Sequence, residues 1–245
     1  MNHKHVIECY LDQETPQIIK FIPEEIPKEI PITYKIFIRY FPSCCLNFNS
    51  LKISNIGLYS IAKPDVALAI TKCLFNLTKS NESVITDALA NVGGMTITFA
   101  KYFNKVNACE IVPLHCEMLT NNLKTYMLDK KVNVICDDYM NVMKSITQDI
   151  IFFDPPWGGK KYKNKSTIPL GINNVNIVCI VNDLLNYSKY IAIRVPFNFQ
   201  FKRFICSLIP NAKIKLIKIN TSNQEKSQFL VIVTKDTNCV QLAYN

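Results

Sequence analysis

The sequence predicts an α/β fold, with a mostly parallel sheet covered by helices on both faces, an antiparallel C-terminal hairpin and a small N-terminal extension. Three observations predict it. From Glu82 onward, short apolar runs alternate strictly with segments that carry apolar residues at helical spacing. Several of those runs end in acids, glycines or prolines, the punctuation of a strand giving way to a loop. The last two runs have no helix between them and are joined by a short polar stretch, Thr221 to Ser227, which makes them antiparallel neighbours.

Residues 1–33 stand apart, because Pro16, Pro23, Pro27 and Pro31 lie among acids and isoleucines and mark an arm or docking segment. In Thr33 to Phe48, the rings of Tyr34, Phe37, Tyr40 and Phe41 lie close to Lys35 and Arg39. Such interleaving suits a base and its phosphates, and equally an amphipathic helix that packs its aromatic face inward. Pro64 to Leu77 is a helix, with Pro64 in its first turn and Val66, Ile70 and Leu74 on one face. Strands follow at 84–89, 105–111, 132–136, 149–154, 190–195, 214–220 and 228–234, and helices at 96–102, 115–128, 139–145, 176–187 and 199–208. The division is an extension over 1–78 and a main domain over 79–245.

Composition narrows the partners. The 245 residues carry a net charge of +9, and 49% are hydrophobic, so a real core coexists with a bias toward polyanions, nucleic acid above all. Ten cysteines form no C-x-x-C pair, and the three histidines, His3, His5 and His115, offer no zinc spacing, so no metal is expected. Cys109, Cys136 and Cys179 sit in apolar runs as small hydrophobes, which suits a reduced intracellular protein. No stretch has the length of a membrane span, and the N-terminus lacks a signal pattern. A monomer is the expected state.

The chemistry concentrates at the ends of the first four strands. In Ile150 to Gly159, an apolar strand runs into Asp154-Pro155-Pro156-Trp157-Gly158-Gly159. The prolines stop the strand and hold the turn extended, so a carboxylate and an indole are fixed where open parallel sheets bind ligands. They form a grip suited to a flat, nitrogen-rich ring. The first strand ends Asp87-Ala88-Leu89-Ala90-Asn91-Val92-Gly93-Gly94, where small residues admit a ligand close to the backbone and Asn91 tolerates left-handed angles. Glu110 ends the second strand, where a carboxylate can accept from both hydroxyls of a ribose. Asp137 and Asp138 end the third, where a carboxylate can accept from the amine of adenine. Any one of these acids alone is more often a loop charge or a helix N-cap.

Together, Asp87 to Ala100, Glu110, Asp138 and Asp154 to Gly159 resemble a Rossmann-like class I S-adenosylmethionine-dependent methyltransferase. Val92-Gly93-Gly94-x-Thr96-Ile97-x-Phe99-Ala100, Pro155-Pro156-Trp157-Gly158-Gly159-x-x-Tyr162 and Gly57 to Pro64 are similar to the trimethylguanosine synthase family, which methylates the exocyclic N2 of a 7-methylguanosine RNA cap. The resemblance covers roughly 33–234. It implies S-adenosyl-L-methionine as cofactor, held by Asp87, Ala90, Asn91, Gly93, Gly94, Thr96, Glu110, Asp137, Asp138 and Asp154 and covered by Phe41. It implies 7-methylguanosine-capped RNA as partner, met by Trp157, Tyr162, Lys160, Lys161, Lys35, Arg39, Ser60 and Asn198. Asp154 and the Pro155 carbonyl are the catalytic pair, accepting from the target amine. Three departures matter. Asn91 replaces a glycine. Asp154 stands where the family's eukaryotic members usually have serine, and aspartate there is what adenine-N6 methyltransferases carry. Phe197 stands where an arginine often contacts phosphate, which leaves that contact absent or to Arg194 or Lys202. The alternatives are an enzyme acting on adenine N6 or internal guanine N2, and a cap- or RNA-binding module that has lost catalysis.

Overall fold

The computed structural model describes residues 26–43, 47–220 and 227–235, apart from the side chain of Lys160. The arm through residue 25 and the turn at 221–226 lie outside the described residues. Seven strands form the main sheet: β1 (Val84–Asp87), β2 (Lys105–Cys109), β3 (Val132–Ile135), β4 (Ile150–Phe153), β5 (Tyr190–Pro196), β6 (Lys213–Ile219) and β7 (Gln228–Thr234). Their order across the sheet is β6-β7-β5-β4-β1-β2-β3. The five strands from β3 to β5 are parallel neighbours, and β7 pairs antiparallel with both β5 and β6. The order reverses beside β1: the chain first builds outward through β2 and β3, then returns to lay β4 on the other side. That reversal opens a crevice at the carboxyl ends of β1 and β4, the place where such sheets bind ligands.

Period two explains the core. Phe152 and Phe153 are adjacent in β4, point to opposite faces and are both fully buried. Phe152 meets Phe99 of α4 (Gly94–Tyr102) at 5.4 Å, in a core shared with α3 (Pro64–Thr78). Phe153 lies in the opposite core with Ile177, Ile180, Val181 and Leu184 of α7 (Ile177–Leu184). That all-apolar face of a short helix needs both the sheet and α8 (Phe201–Cys206) to cover it. Every predicted strand and helix is present in the predicted order, and the structure adds the short helix Gly57–Ser60 and two antiparallel pairings, Glu29–Ile30 with Ile53–Ser54 and Gly171–Ile172 with Val175–Asn176. The boundaries shift by a few residues, as helix ends do when their last turn is settled by local caps.

The extension docks on α5 (Pro113–Thr125) and on the loop after β1. Helix α1 (Tyr34–Tyr40) is capped by Thr33, whose hydroxyl accepts from the Ile36 N–H at 3.2 Å. Phe37 stacks on Phe48 at 5.1 Å, and Phe41 is 1% exposed. The inward-facing aromatic reading therefore holds for these two rings, and Phe41 lies in the core with Ala90 and Val92 rather than over open space. Asn122, wholly buried, fastens the assembly: its amide donates to the carbonyls of Lys52 at 2.8 Å and Val92 at 2.9 Å, and its oxygen accepts from the Lys52 N–H at 2.7 Å. Asn122→Leu leaves those backbone groups buried and unpaired. It is expected to cost about 2–4 kcal/mol in denaturant unfolding.

The cysteine expectation needs correction. Cys116 of α5 and Cys136, just past β3, form a disulfide with Cα atoms 5.8 Å apart. Cys109 is buried as expected, but Cys179 is exposed, because it falls on the outer side of α7.

Candidate active site

The loop after β1 takes its shape from two left-handed residues. Asn91 has φ 50° and turns the chain, its own side-chain oxygen accepting from the Val92 N–H at 2.6 Å. Gly93 has φ 102°, and a Cβ there would lie 2.8 Å from Leu119. A Cβ on Gly94 would lie 2.6 Å from Ile61, so the extension sits directly on this turn. Ala90 and Thr96 are buried beside it, and Ser60 of α2 (Gly57–Ser60) is exposed at the rim.

Five acids are placed at the strand ends, four of them on the first three strands. Asp87 is buried, and the Thr96 hydroxyl donates to it at 2.6 Å. Burial, then the neighbouring carboxylates Asp154 and Glu110, push its pKa up to about 7 despite that hydrogen bond. Glu110 accepts from the Asn91 N–H at 2.7 Å through one oxygen and from the Val112 N–H at 2.9 Å through the other. Each oxygen keeps a second lone pair. Behind it, His115 Nδ1 lies 3.7 Å from Glu110, and His115 Nε2 lies 2.8 Å from the Ser54 hydroxyl. That hydroxyl accepts from the Gly57 N–H at 2.7 Å, so Glu110 is tied to the extension. Asp137 is exposed and accepts from its neighbour's N–H at 2.6 Å and from Asn141 at 2.9 Å. Asp138 caps α6 (Tyr139–Val142), accepting from the Met140 N–H at 3.0 Å, and its other oxygen accepts from Asn173. Asp138 is thus the cap of α6, and like Glu110 it keeps a second lone pair on each oxygen.

Asp154 sits just beyond β4, with Arg194 of β5 donating to its Oδ2 at 2.6 Å. Burial raises the Asp154 pKa, and the Arg194 charge and hydrogen bond oppose that rise. Arg194 is held from behind by Gln228 of β7, whose side-chain oxygen accepts from its Nε at 3.1 Å and its Nη2 at 2.9 Å. The guanidinium also lies 4.9 Å from the centre of the Trp157 ring, and Tyr162 meets that ring edge-on at 5.2 Å. Trp157 is half-buried, with its indole N–H buried and unpartnered. Arg194 is thus engaged by Asp154 and Trp157, which removes it as a replacement for the phosphate contact.

The remaining expected residues divide. Asn198 is buried and clamps the lysine-rich turn, donating to the carbonyls of Tyr162 at 2.9 Å and Lys165 at 2.8 Å. Its amide therefore shapes the site instead of facing it, while its oxygen is buried without a partner. Lys161 is exposed beside Tyr162 on that turn, and the Lys160 side chain is outside the described residues. Lys35 and Arg39 are exposed on α1, with Arg39 lying 5.6 Å from the Tyr40 ring.

The sequence profile of RNA cap guanine-N2 methyltransferases matches residues 82–235, which span the whole sheet and every acid described above. The chain belongs to that family. The chain is 29% identical over 188 residues to the trimethylguanosine synthase of Schizosaccharomyces pombe, covering 74% of each chain. It is 34% identical over 154 residues to an uncharacterized protein of Acanthamoeba polyphaga mimivirus, covering 61% of this chain and 57% of the length of that relative. The fold is that of the human methyltransferase 10 domain containing protein, at TM-score 0.54 and 9% identity over 72% of this chain and 85% of the other. The α/β fold and its Rossmann-like kinship are as the sequence predicts. Membership of the family implies S-adenosylmethionine as methyl donor, and the match favours cap guanine over adenine as target. No helix among the described residues is long and apolar enough to cross a membrane.

His115 and Gln228 carry no sequence signal for their roles at this site, and Asn122 carries a faint one. That signal is an amide at a position on α5 that the helical spacing turns inward. Arg194 had a signal, a lone cation within an apolar strand, which needs an anion to be buried.

Proposed function

We propose that this chain transfers a methyl group from S-adenosyl-L-methionine to the exocyclic N2 of a 7-methylguanosine RNA cap. The observation that supports it most is the Asp154 carboxylate held by Arg194 beside Trp157, with the buried Asp87 at the end of the adjacent strand. A clustered set of acids, Asp87, Glu110 and Asp154, repel one another, and Asp87 has no cation beside it among the residues that shift it. Such a donor set fits a cofactor that brings positive charge. Glu110 would take the ribose and Asp137 or Asp138 the adenine edge, Asn91 to Gly94 the close backbone approach, and the extension over 26–78 would close the site. When bound, the cofactor supplies an electrophilic methyl group, whose bond to sulfur breaks as the bond to nitrogen forms.

The chain's own residues do the rest. Asp154 Oδ1 and the Pro155 carbonyl accept from the target amine, which aims its lone pair and stabilises charge developing on nitrogen. A strong base is unnecessary, since the methylated amine becomes acidic as the bond forms. The base stacks on the face of Trp157 opposite Arg194. The turn at 159–165, with Lys161 and Tyr162, meets the cap phosphates.

Incubation with labelled cofactor and m7GDP, with the product identified by mass and chromatographic standard, tests this. An N2-methylated product is expected, with little from unmethylated GDP; equal activity on both overturns cap specificity. Inert cap analogues with active long RNA or DNA would instead favour an internal guanine or adenine target. Cap binding without any cofactor binding would mean lost catalysis.

Two further outcomes are expected. Trp157→Ala should weaken m7GDP binding by roughly tenfold, about 1–2 kcal/mol from one aromatic–cation contact, read by fluorescence or calorimetry. Unchanged binding would remove the stacking role. Cofactor binding should also depend on pH through Asp87, whose anion is the form that attracts a cation. Affinity should rise as pH increases to about 7 and level off above it. Calorimetry in buffers of different ionisation heat should detect the released proton near pH 6.

A further inference from the structure

Positive charge is segregated along the chain. Residues 155–235 hold 13 of the 28 Lys and Arg but 2 of the 19 Asp and Glu, so this third carries all of the net positive charge. Of the two acids, Asp183 pairs with Lys144 at 2.7 Å, and Glu225 lies outside the described residues. Solubility needs a net charge, not a segregated one.

The fold gathers part of this charge into a band. Trp157 meets Tyr162, and Asn198 clamps the carbonyls of Tyr162 and Lys165. Phe199, next in sequence, meets Phe201 at the start of α8 at 5.2 Å. Phe201 meets Phe229 of β7 at 5.6 Å, and Lys218 of β6 is the cross-strand partner of Phe229. An unbroken line of contacts thus leads from the base site, across α8, to the outer strand. Lys161, Lys165, Lys202, Arg203 and Lys218 stand along it. All five are exposed, and none makes an ion pair among the described residues.

We propose that this band is the track for the RNA that follows the cap: phosphates leaving the lysine-rich turn cross α8 at Lys202 and Arg203 and reach Lys218. This rests on the cap reading above, which fixes where the RNA starts. A single strand carries one negative charge per nucleotide and must leave the site over some surface. A narrow basic band that begins at the base grip, with Tyr162 at its head, suits a strand better than a broad membrane or a folded acidic protein.

Anisotropy titration of the full chain with a fluorescent capped RNA of about 15 nucleotides tests the track, since binding is read without turnover. R203E/K218E removes two cations away from the base grip and the cofactor acids. It is expected to weaken RNA binding roughly tenfold or more near 50 mM salt and to flatten the salt slope by about 1.4. Its kinetics with m7GDP should stay unchanged. Lys105→Glu, an exposed charge at the opposite end of the sheet, serves as control and should bind RNA as the unmodified chain does. RNA binding unchanged in R203E/K218E, or an equal loss in the Lys105→Glu control, overturns the track. RNA binding that is sensitive to R203E/K218E, with no methylation of m7GDP, keeps the track and overturns the cap reading instead.

Discussion

Asp154→Asn is expected to lower methyl transfer to m7GDP by about a hundredfold to a thousandfold, the size of effect seen when one aimed charge-stabilising partner is lost. Asparagine keeps the shape and one acceptor oxygen but removes the charge that opposes charge developing on the amine. It also keeps a polar partner for Arg194, so the comparison is cleaner than alanine, which leaves a buried guanidinium facing an empty site. Asp154→Ala should abolish transfer and also lower stability by about 3–5 kcal/mol, because one partner of a buried pair is left alone. Cofactor affinity at neutral pH should fall far less than transfer in both, because Asp87 and Glu110 remain. The Asp154 charge is one of the causes that raise the Asp87 pKa. Without it, the pH midpoint for cofactor binding should move down, an independent sign that the two carboxylates face one crevice. Transfer that survives Asp154→Asn within a few-fold would mean that the Pro155 carbonyl alone orients the amine.

Arg194→Leu carries the second large effect, and its signature is a pH profile. Asp154 must be ionised to accept from the amine, so activity should rise as pH rises through its pKa. Burial already raises that pKa, and Arg194 at 2.6 Å holds the rise in check. The groups facing Asp154 are Arg194 from β5 and the acid Asp87 from β1, with Tyr162 close to the same guanidinium. Removing that cation leaves burial unopposed, so the rising limb should move to higher pH by about one to three pH units. At a fixed pH below the new limb, that is a loss of roughly tenfold to a thousandfold, recoverable by raising the pH. A merely structural role would lower activity at every pH without moving the limb. Arg194→Lys should restore most of the limb position but not full activity, since an ammonium cannot reach both Asp154 and Gln228 in the same fork.

Much of this site is legible in the sequence because its signals are local. The Pro155-Pro156 pair stops β4 wherever β4 lies in the sheet, so Asp154 and Trp157 are held at a strand end by two covalent rings. Asn91 stands in the left-handed region, at φ 50°, as a short polar side chain able to hydrogen-bond its own backbone can. The alternation of runs from Glu82 onward predicts the parallel sheet, since each helix supplies the crossover that parallel neighbours need. Asp138 shows the limit of such reading: an acid before a helix suits both a cap and a ligand contact, and the structure adds the cap through one oxygen without deciding between the two. Asn198 shows another, where a polar residue after a proline at a strand end clamps the next loop instead of facing the site.

The sequence by itself determined the fold class, the order of the elements, the strand-end acids and the grip at Asp154 to Gly159, because periodicity and turn chemistry act within a few residues. Only the tertiary structure decided who partners whom. Arg194 reaches Asp154 across 40 positions, Asn122 reaches Lys52 across 70, and Phe41 turns into the core. Those choices depend on sheet order and helix docking, in which a buried charge or amide takes whichever partner the packed chain brings within 3 Å or so, and no local pattern encodes that distance.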